Sequence, residues 1–97
     1  MKIINSKTII EKIKKERKKL KEKGVKKIGL FGSIIKGKKN PKDIDILIEF
    51  DKVSFDNYMN LLFFLENLLK KKVDLVIESD LRPELNYVKK EAKYVKI

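Results

Sequence analysis

Two acids lie two positions apart at the start of an apolar run, and nine residues separate them from a preceding glycine–serine turn. Asp43 and Asp45 open the run that continues to Phe50, and Gly32 and Ser33 end the preceding one. Residues two apart in a β-strand point to the same face, so both carboxylates should project together, about 6–7 Å apart. Two such charges repel each other and are costly to bury without a cation. The pattern predicts a divalent metal site, and carboxylate oxygens favour Mg²⁺ or Mn²⁺.

Gly32 and Ser33 supply the second half of the predicted site. Glycine lets the backbone turn sharply and approach a ligand closely. Ser33 is predicted to cap a short helix and to offer its hydroxyl and N–H group to a phosphate. A phosphate cradle that faces two metal-binding acids is what phosphoryl or nucleotidyl transfer from a triphosphate requires.

A third acid, Asp74, interrupts a later apolar strand predicted over residues 73–77. One interpretation is a strand-end acid that pairs with one of the many lysines. The upstream pair of acids favours a second interpretation, in which Asp74 is close to the same metal ions. There it would be a ligand or would accept the proton of the attacking hydroxyl.

The composition restricts the chemistry further. The 97 residues include no cysteine and no histidine, which excludes disulfides, cysteine nucleophiles and histidine bases and leaves acid–base chemistry to carboxylates. The length predicts one small domain over residues 1–97. No apolar run reaches the ~18–20 residues of a membrane span, and no signal-peptide core is evident, so we expect a cytoplasmic protein.

The formal net charge of +11 has three interpretations, of which one is attraction to ATP or to an acidic partner surface. A nucleic-acid surface is another, particularly along the lysine-dense stretch between residues 12 and 27. However, every basic residue except Arg17 and Arg82 is a lysine, and few aromatic residues are interleaved with the basic runs. Both facts favour a solvated helix face, and we do not expect nucleic acid to be the direct substrate.

Hydrophobic periodicity predicts alternating helices and strands. Thr8 and Glu11 form a predicted capping box for a first helix that stops at Gly24. Strands are predicted at residues 27–31, 44–50 and 73–77, the second of them covered on both faces. A short helix ending at Gly37 and a polar turn at residues 38–42 separate the first two strands.

The second half of the chain is predicted to contain two helices. Ser54 or Asp56 should cap a central helix, whose apolar stripe consists of Tyr58, Leu61, Leu62, Leu65, Leu68 and Leu69. A last helix is predicted after Pro83, with three residues facing inward, namely Leu85, Val88 and Ala92. The apolar tail at residues 94–97 is expected to dock on the domain or to meet a partner.

A family resemblance emerges when the motifs are taken together. They are Gly32-Ser33 followed after nine residues by Asp43-Ile44-Asp45, and the downstream run Val73-Asp74-Leu75-Val76. In this combination the sequence resembles the minimal nucleotidyltransferases of the DNA polymerase β-like superfamily. It is most similar to the small MntA-type antitoxins that are paired with HEPN-domain toxins. The resemblance extends through residues 81–85 and 91–95, and implies an α/β (α+β) fold with a mixed three-stranded sheet flanked by about four helices.

The resemblance also implies the roles of individual residues. Asp43, Asp45 and Asp74 match the family's catalytic acids, which would bind two Mg²⁺ ions, or Mn²⁺ in their place, with ATP as the substrate. Gly32 and Ser33 match its nucleotide-binding turn. Lys36 stands where the family commonly has an arginine, and lysine keeps the charge but loses bidentate recognition of phosphate. Lys42 replaces a small polar residue before the first acid.

The activity implied by the resemblance is protein adenylylation. Such a protein transfers AMP from ATP to a tyrosine hydroxyl of its cognate HEPN RNase toxin, in a hetero-oligomer with it, and thereby neutralises the toxin. One alternative is a non-catalytic antitoxin that blocks the HEPN partner by binding. Another is a nucleotidyltransferase directed to nucleic acid, which only the basic charge supports.

Overall fold

The helices and strands follow the predicted alternation, with one additional strand. The computed structural model describes residues 5–37 and 41–97, so part of the predicted polar turn, residues 38–40, lies outside the described residues. In chain order the elements are α1 (Ser6–Lys15), α2 (Arg17–Glu22), β1 (Val25–Phe31), β2 (Asp43–Phe50), α3 (Phe55–Leu69), β3 (Lys72–Ile77), α4 (Tyr87–Glu91) and β4 (Lys93–Val95). Short 3₁₀ turns lie at Gly32–Ile34, Glu78–Asp80 and Pro83–Leu85.

The strands form one mixed sheet in the order β3-β2-β1-β4. β1 is antiparallel to both β2 and β4, whereas β3 is parallel to β2. The predicted α/β class with about four helices is confirmed. The prediction of three strands is wrong, because the tail pairs with β1 as a fourth strand, β4.

β2 directs alternate residues to two different environments. Toward the helices it presents the core residues Ile44, Ile46, Ile48 and Phe50. Toward the opposite side it presents Asp43, Asp45, Leu47 and Glu49, and we call this side of the sheet the acid face. The prediction that both faces of β2 are covered is therefore wrong at the exposed Asp43 and the half-buried Asp45 and Glu49, because α1, α2 and α3 all pack against the other face.

The helix packed nearest to β3 follows the predicted pattern. α3 begins after Ser54, whose Oγ accepts a hydrogen bond from the Asn57 N–H group at 3.1 Å, which confirms Ser54 as its cap. Its buried residues are Leu61, Leu65 and Leu69. At its end Lys70 adopts a left-handed conformation with φ of 56°, and the chain turns into β3.

The first helical segment differs from prediction at its start and in its middle. Asn5 caps α1, because its Oδ1 accepts hydrogen bonds from the Thr8 N–H group (2.9 Å) and hydroxyl (3.0 Å). The predicted capping box at Thr8 is therefore wrong, since Thr8 already lies inside the helix. The predicted single helix is interrupted at Glu16 into α1 and α2. Both segments still bury an apolar residue completely, Ile13 and Leu20.

The last helix is shorter than predicted. Pro83 begins a 3₁₀ turn that ends at Leu85, and α4 starts only at Tyr87. Leu85 is consequently 39% exposed, so its predicted inward position is wrong, whereas Val88 and Ala92 are half-buried. No helix in residues 5–37 or 41–97 is long and apolar enough to cross a membrane.

Candidate active site

The registers of three strands bring two of the predicted acids together. Asp45 is paired with Phe31 across the antiparallel ladder and with Asp74 across the parallel one. Directly paired residues point to the same face of a sheet, so Asp45 and Asp74 are side-chain neighbours on the acid face. Asp43 lies on the same face two residues earlier, beside the start of β3, and is exposed.

The surroundings of Asp45 raise its pKa above the ordinary value. Burial raises its pKa, and so do the charge of Asp74, a side-chain hydrogen bond with Asp74 and the charge of Asp43. A hydrogen bond from the Ser33 N–H group lowers the pKa only in part, so the net shift is upward. The acids therefore interact directly and at an energetic cost.

None of the three acids forms an ion pair in the described parts of the chain. The ion pairs found there join Lys19 to Glu16, Lys26 to Asp51 and Lys27 to Glu78, and involve none of the three acids. Hard carboxylate oxygens with unbalanced negative charge are a donor set suited to Mg²⁺ or Mn²⁺. Among residues 5–37 and 41–97, however, no three acids are already arranged as a finished ligand set. The chemistry of these donors nevertheless fits a divalent ion.

Gly32 is the point at which the turn meets Asp45. Its φ is +76°, in the left-handed region, and a Cβ atom there would overlap the Asp45 carboxylate oxygen and lie 3.0 Å from Asp45 Cγ. The close approach predicted for Gly32 is thus observed, with Asp45 as the group that approaches. A side chain at this position would displace Asp45.

Ser33 contributes its backbone to the site and does not cap a helix. It lies inside the single 3₁₀ turn Gly32–Ile34, for which Phe31 is the N-cap residue without a side-chain cap bond. The predicted capping role of Ser33 is therefore wrong, because the helix is only one turn long and begins before it. Its N–H group instead hydrogen-bonds to Asp45.

Lys36 follows this turn and is exposed. Its N–H group donates to the Ser33 carbonyl at 3.2 Å, so its backbone is fixed to the turn. Its side chain forms no ion pair with Asp43, Asp45 or Asp74 in the part of the chain that is described. Its role toward a nucleotide remains a prediction.

A second group of side chains crosses the acid face next to the acids. The Tyr94 hydroxyl donates a hydrogen bond to Glu78 Oε2 at 3.0 Å. Lys27 Nζ lies 3.7 Å from Glu78 Oε1 and 5.2 Å from the centroid of the Tyr94 ring. Because Tyr94 belongs to β4 and Glu78 follows β3, this bond links the two edges of the sheet.

The Tyr94 ring lies close to the sheet because a glycine is underneath it. A Cβ atom on Gly29 would be 3.0 Å from Tyr94 Cδ1. Leu47 is paired with Gly29 and is fully buried, although it points away from the helices. Burial, followed by the hydrogen bond to Glu78, raises the pKa of Tyr94 to about 12. The sequence did not predict that Tyr94 lies over Gly29 and bonds to Glu78, because a single tyrosine in an apolar tail does not indicate such contacts.

Comparisons with known sequences agree with this arrangement. The model of the nucleotidyltransferase domain family matches residues 10–96. A protein of Methanocaldococcus jannaschii that is named as a protein adenylyltransferase is 42% identical over 87 residues, covering 84% of this chain and 85% of that protein. The protein adenylyltransferase MntA of Thermococcus cleftensis is 42% identical over 69 residues, covering 68% and 70%.

Solved structures share the fold. One described as a minimal nucleotidyltransferase has a TM-score of 0.78 at 27% identity and covers 92% of this chain and 94% of its own. A toxin–antitoxin structure with AMP-PNP has a TM-score of 0.70 at 25% identity, covering 90% and 72%. A tri-AMPylated HEPN toxin of Shewanella oneidensis in complex with its MNT antitoxin has a TM-score of 0.65 at 23% identity, covering 91% and 71%.

Proposed function

Because this chain belongs to the nucleotidyltransferase domain family, we propose that it transfers AMP from ATP to a tyrosine hydroxyl of a HEPN-domain toxin and thereby acts as an antitoxin. The observation that carries the proposal is the pairing of Asp45 with Asp74 beside the Gly32–Ser33 turn, with Asp43 on the same face. The names of the two relatives support protein as the acceptor. The AMP-PNP and HEPN complexes of proteins with this fold support the nucleotide and the partner.

Asp43, Asp45 and Asp74 are the residues that would hold Mg²⁺. When bound, the metal would stabilise charge on the triphosphate and lower the pKa of the attacking hydroxyl. The raised pKa of Asp45 supports this assignment, because carboxylates that repel one another gain from a shared cation. In this proposal the ion offsets the repulsion between acids that the sheet already places side by side.

The protein's own groups have separate tasks in the proposed reaction. A bond forms between the tyrosine oxygen and the α-phosphorus of ATP, and the bond from that phosphorus to pyrophosphate breaks. Asp74, which lies on the edge strand β3, accepts the tyrosine proton. Gly32 and Ser33 bind phosphate oxygens, and Lys36 supplies positive charge one turn later.

Labelled nucleotide tests the proposal directly. The protein, purified with a HEPN partner, is incubated with α-labelled ATP and Mg²⁺, and label on the partner is measured. We expect transfer by the wild type, none by Asp43→Asn, and wild-type transfer by Asp80→Asn, which removes an equally exposed acid elsewhere. A partner that is bound but never labelled would instead indicate an antitoxin that acts by binding alone.

A further inference from the structure

β3 carries Asp74 on the outermost strand of the sheet. In the order β3-β2-β1-β4 one edge of β3 pairs with β2, and no strand among the described residues pairs with the other. An unpaired edge is the part of a sheet most able to shift or fray. Asp74 must lie close to Asp45 in the proposed reaction, yet it belongs to a strand that a neighbouring strand holds on one side only.

Two side chains of α3 hydrogen-bond to β3 immediately before and after Asp74. The Val73 N–H group donates to Glu66 Oε2 at 3.0 Å. The Tyr58 hydroxyl donates to the Leu75 carbonyl at 2.6 Å. Both bonds are partly shielded from solvent. The backbone on each side of Asp74 is thus tied to the helix by a side chain.

The helix that provides these bonds is itself fixed. Leu61 and Leu65, which lie between the two polar residues, are completely buried, as is Leu69 at 1% exposure. Glu66, which comes later in α3, bonds to Val73, whereas Tyr58, which comes earlier in α3, bonds to Leu75. The helix therefore runs antiparallel to β3 and offers a rigid support along its outer edge.

We propose that Tyr58 and Glu66 are positioning residues for the reaction, which hold β3 on both sides of Asp74 so that its carboxylate meets Asp45. The inference rests on the proposed function for its catalytic consequence. Displacing a reacting group by about 1 Å can reduce a rate by roughly 100-fold. A bond that only stabilised the fold would change the stability of the protein and leave the rate of the folded enzyme unchanged.

The kinetic test uses three variants and a matched control. Tyr58→Phe and Glu66→Ala each remove one bond, whereas Glu66→Gln keeps an oxygen that accepts from Val73. Asn57→Ala is the control, because it removes a side-chain bond from the same helix to a different backbone group, the Lys52 carbonyl at 3.1 Å. At a temperature where all variants are folded, we expect kcat to fall by about 10-fold or more in Tyr58→Phe and Glu66→Ala with little change in KM for ATP.

The expected pattern includes rescue. Glu66→Gln should restore kcat, and Asn57→Ala should retain it. Equal kcat for Tyr58→Phe, Glu66→Ala and the wild type would overturn the inference.

A second measurement does not depend on activity. Hydrogen exchange of the Val73 amide should accelerate in Glu66→Ala and stay slow in Glu66→Gln and Asn57→Ala. The NMR resonance of the Asp74 carboxyl carbon should move in Tyr58→Phe and Glu66→Ala but not in Asn57→Ala. An unmoved resonance would reject the positioning role. Failure of the wild type to label any partner would reject the proposed function, while these spectra would still decide whether α3 holds Asp74.

Discussion

Asp45 and Asp74 are direct partners across the parallel ladder of β2 and β3, and the charge of Asp74 helps to raise the pKa of Asp45. The pairing places two acids at one point of the sheet without a basic partner in the described residues. Such an arrangement reduces the stability of the protein alone and favours a function that supplies a cation. A conflict of this kind between stability and local charge is typical of functional sites.

Replacing Asp45 should separate stability from activity. Asp45→Asn removes one of the repelling charges while its amide oxygen still accepts from Ser33. In metal-free solution at neutral pH we expect the free energy of unfolding to rise by about 1 kcal/mol. Such a rise is common when a functional residue that costs stability is replaced. Urea denaturation with a chelator measures this change. The same variant should transfer no AMP, and a variant less stable than the wild type would contradict the account.

Gly32→Ala tests the contact between the turn and Asp45. Gly24 provides the matched control, because its φ is +84° against +76° at Gly32, but no atom lies within 4 Å of a Cβ there. Both alanines should lower the free energy of unfolding by about 1 kcal/mol or more through backbone strain. Only Gly32→Ala should displace Asp45 and abolish transfer. Equal activity of the two variants would show that the turn tolerates a side chain.

Tyr94 predicts a dependence of stability on alkaline pH. Its pKa is raised to about 12 by burial and by Glu78, against about 10 for an unfolded chain. The folded state therefore favours the neutral phenol, so its contribution is complete below pH ~10 and is lost as pH rises toward the folded value.

Tyr94→Phe removes this titration while the lysines and Tyr58 remain. The fall in unfolding free energy between about pH 10 and 12 should be smaller in Tyr94→Phe than in the wild type. Denaturant unfolding at a series of pH values compares the two slopes. Identical slopes would mean that the phenol is no more protonated in the folded protein than in the unfolded one.

Substitutions of Lys36 test its proposed role in binding the nucleotide. Lys36→Arg should lower KM for ATP, because a guanidinium binds phosphate with two hydrogen bonds where an ammonium acts as a point charge. Lys36→Gln should raise KM. Lys52→Gln removes the same charge from another exposed position and should leave KM unchanged. A similar KM in all four proteins would remove Lys36 from the nucleotide site.

Local rules were sufficient for the acids and their turn. Strand alternation put Asp43 and Asp45 on one face, and the positive φ and close contact at Gly32 are what a glycine after a strand suggests. The same rules could not reveal β4, because three residues are too few for an alternating pattern. Its position depends on pairing with β1, which is distant in the chain.

The long-range hydrogen bonds of the acid face and of β3 could not be predicted from neighbouring residues in the sequence. Tyr58 and Leu75 are 17 positions apart, and Tyr94 and Glu78 are 16 apart. The apolar stripe of α3 predicted Tyr58 as a packing residue, which describes its ring but not its hydroxyl. Asn5 and Thr8 are both good helix caps, and only the fold shows that the Asn5 side chain accepts from Thr8.

Mass spectrometry of the HEPN partner tests the central claim most directly. After incubation with ATP and Mg²⁺, the account predicts that the partner gains the mass of one or more adenylyl groups on tyrosine. It predicts no gain with Asp43→Asn, Asp45→Asn or Asp74→Asn and a normal gain with Asp80→Asn. An unmodified partner with the wild type, or a modified one with Asp74→Asn, would contradict it.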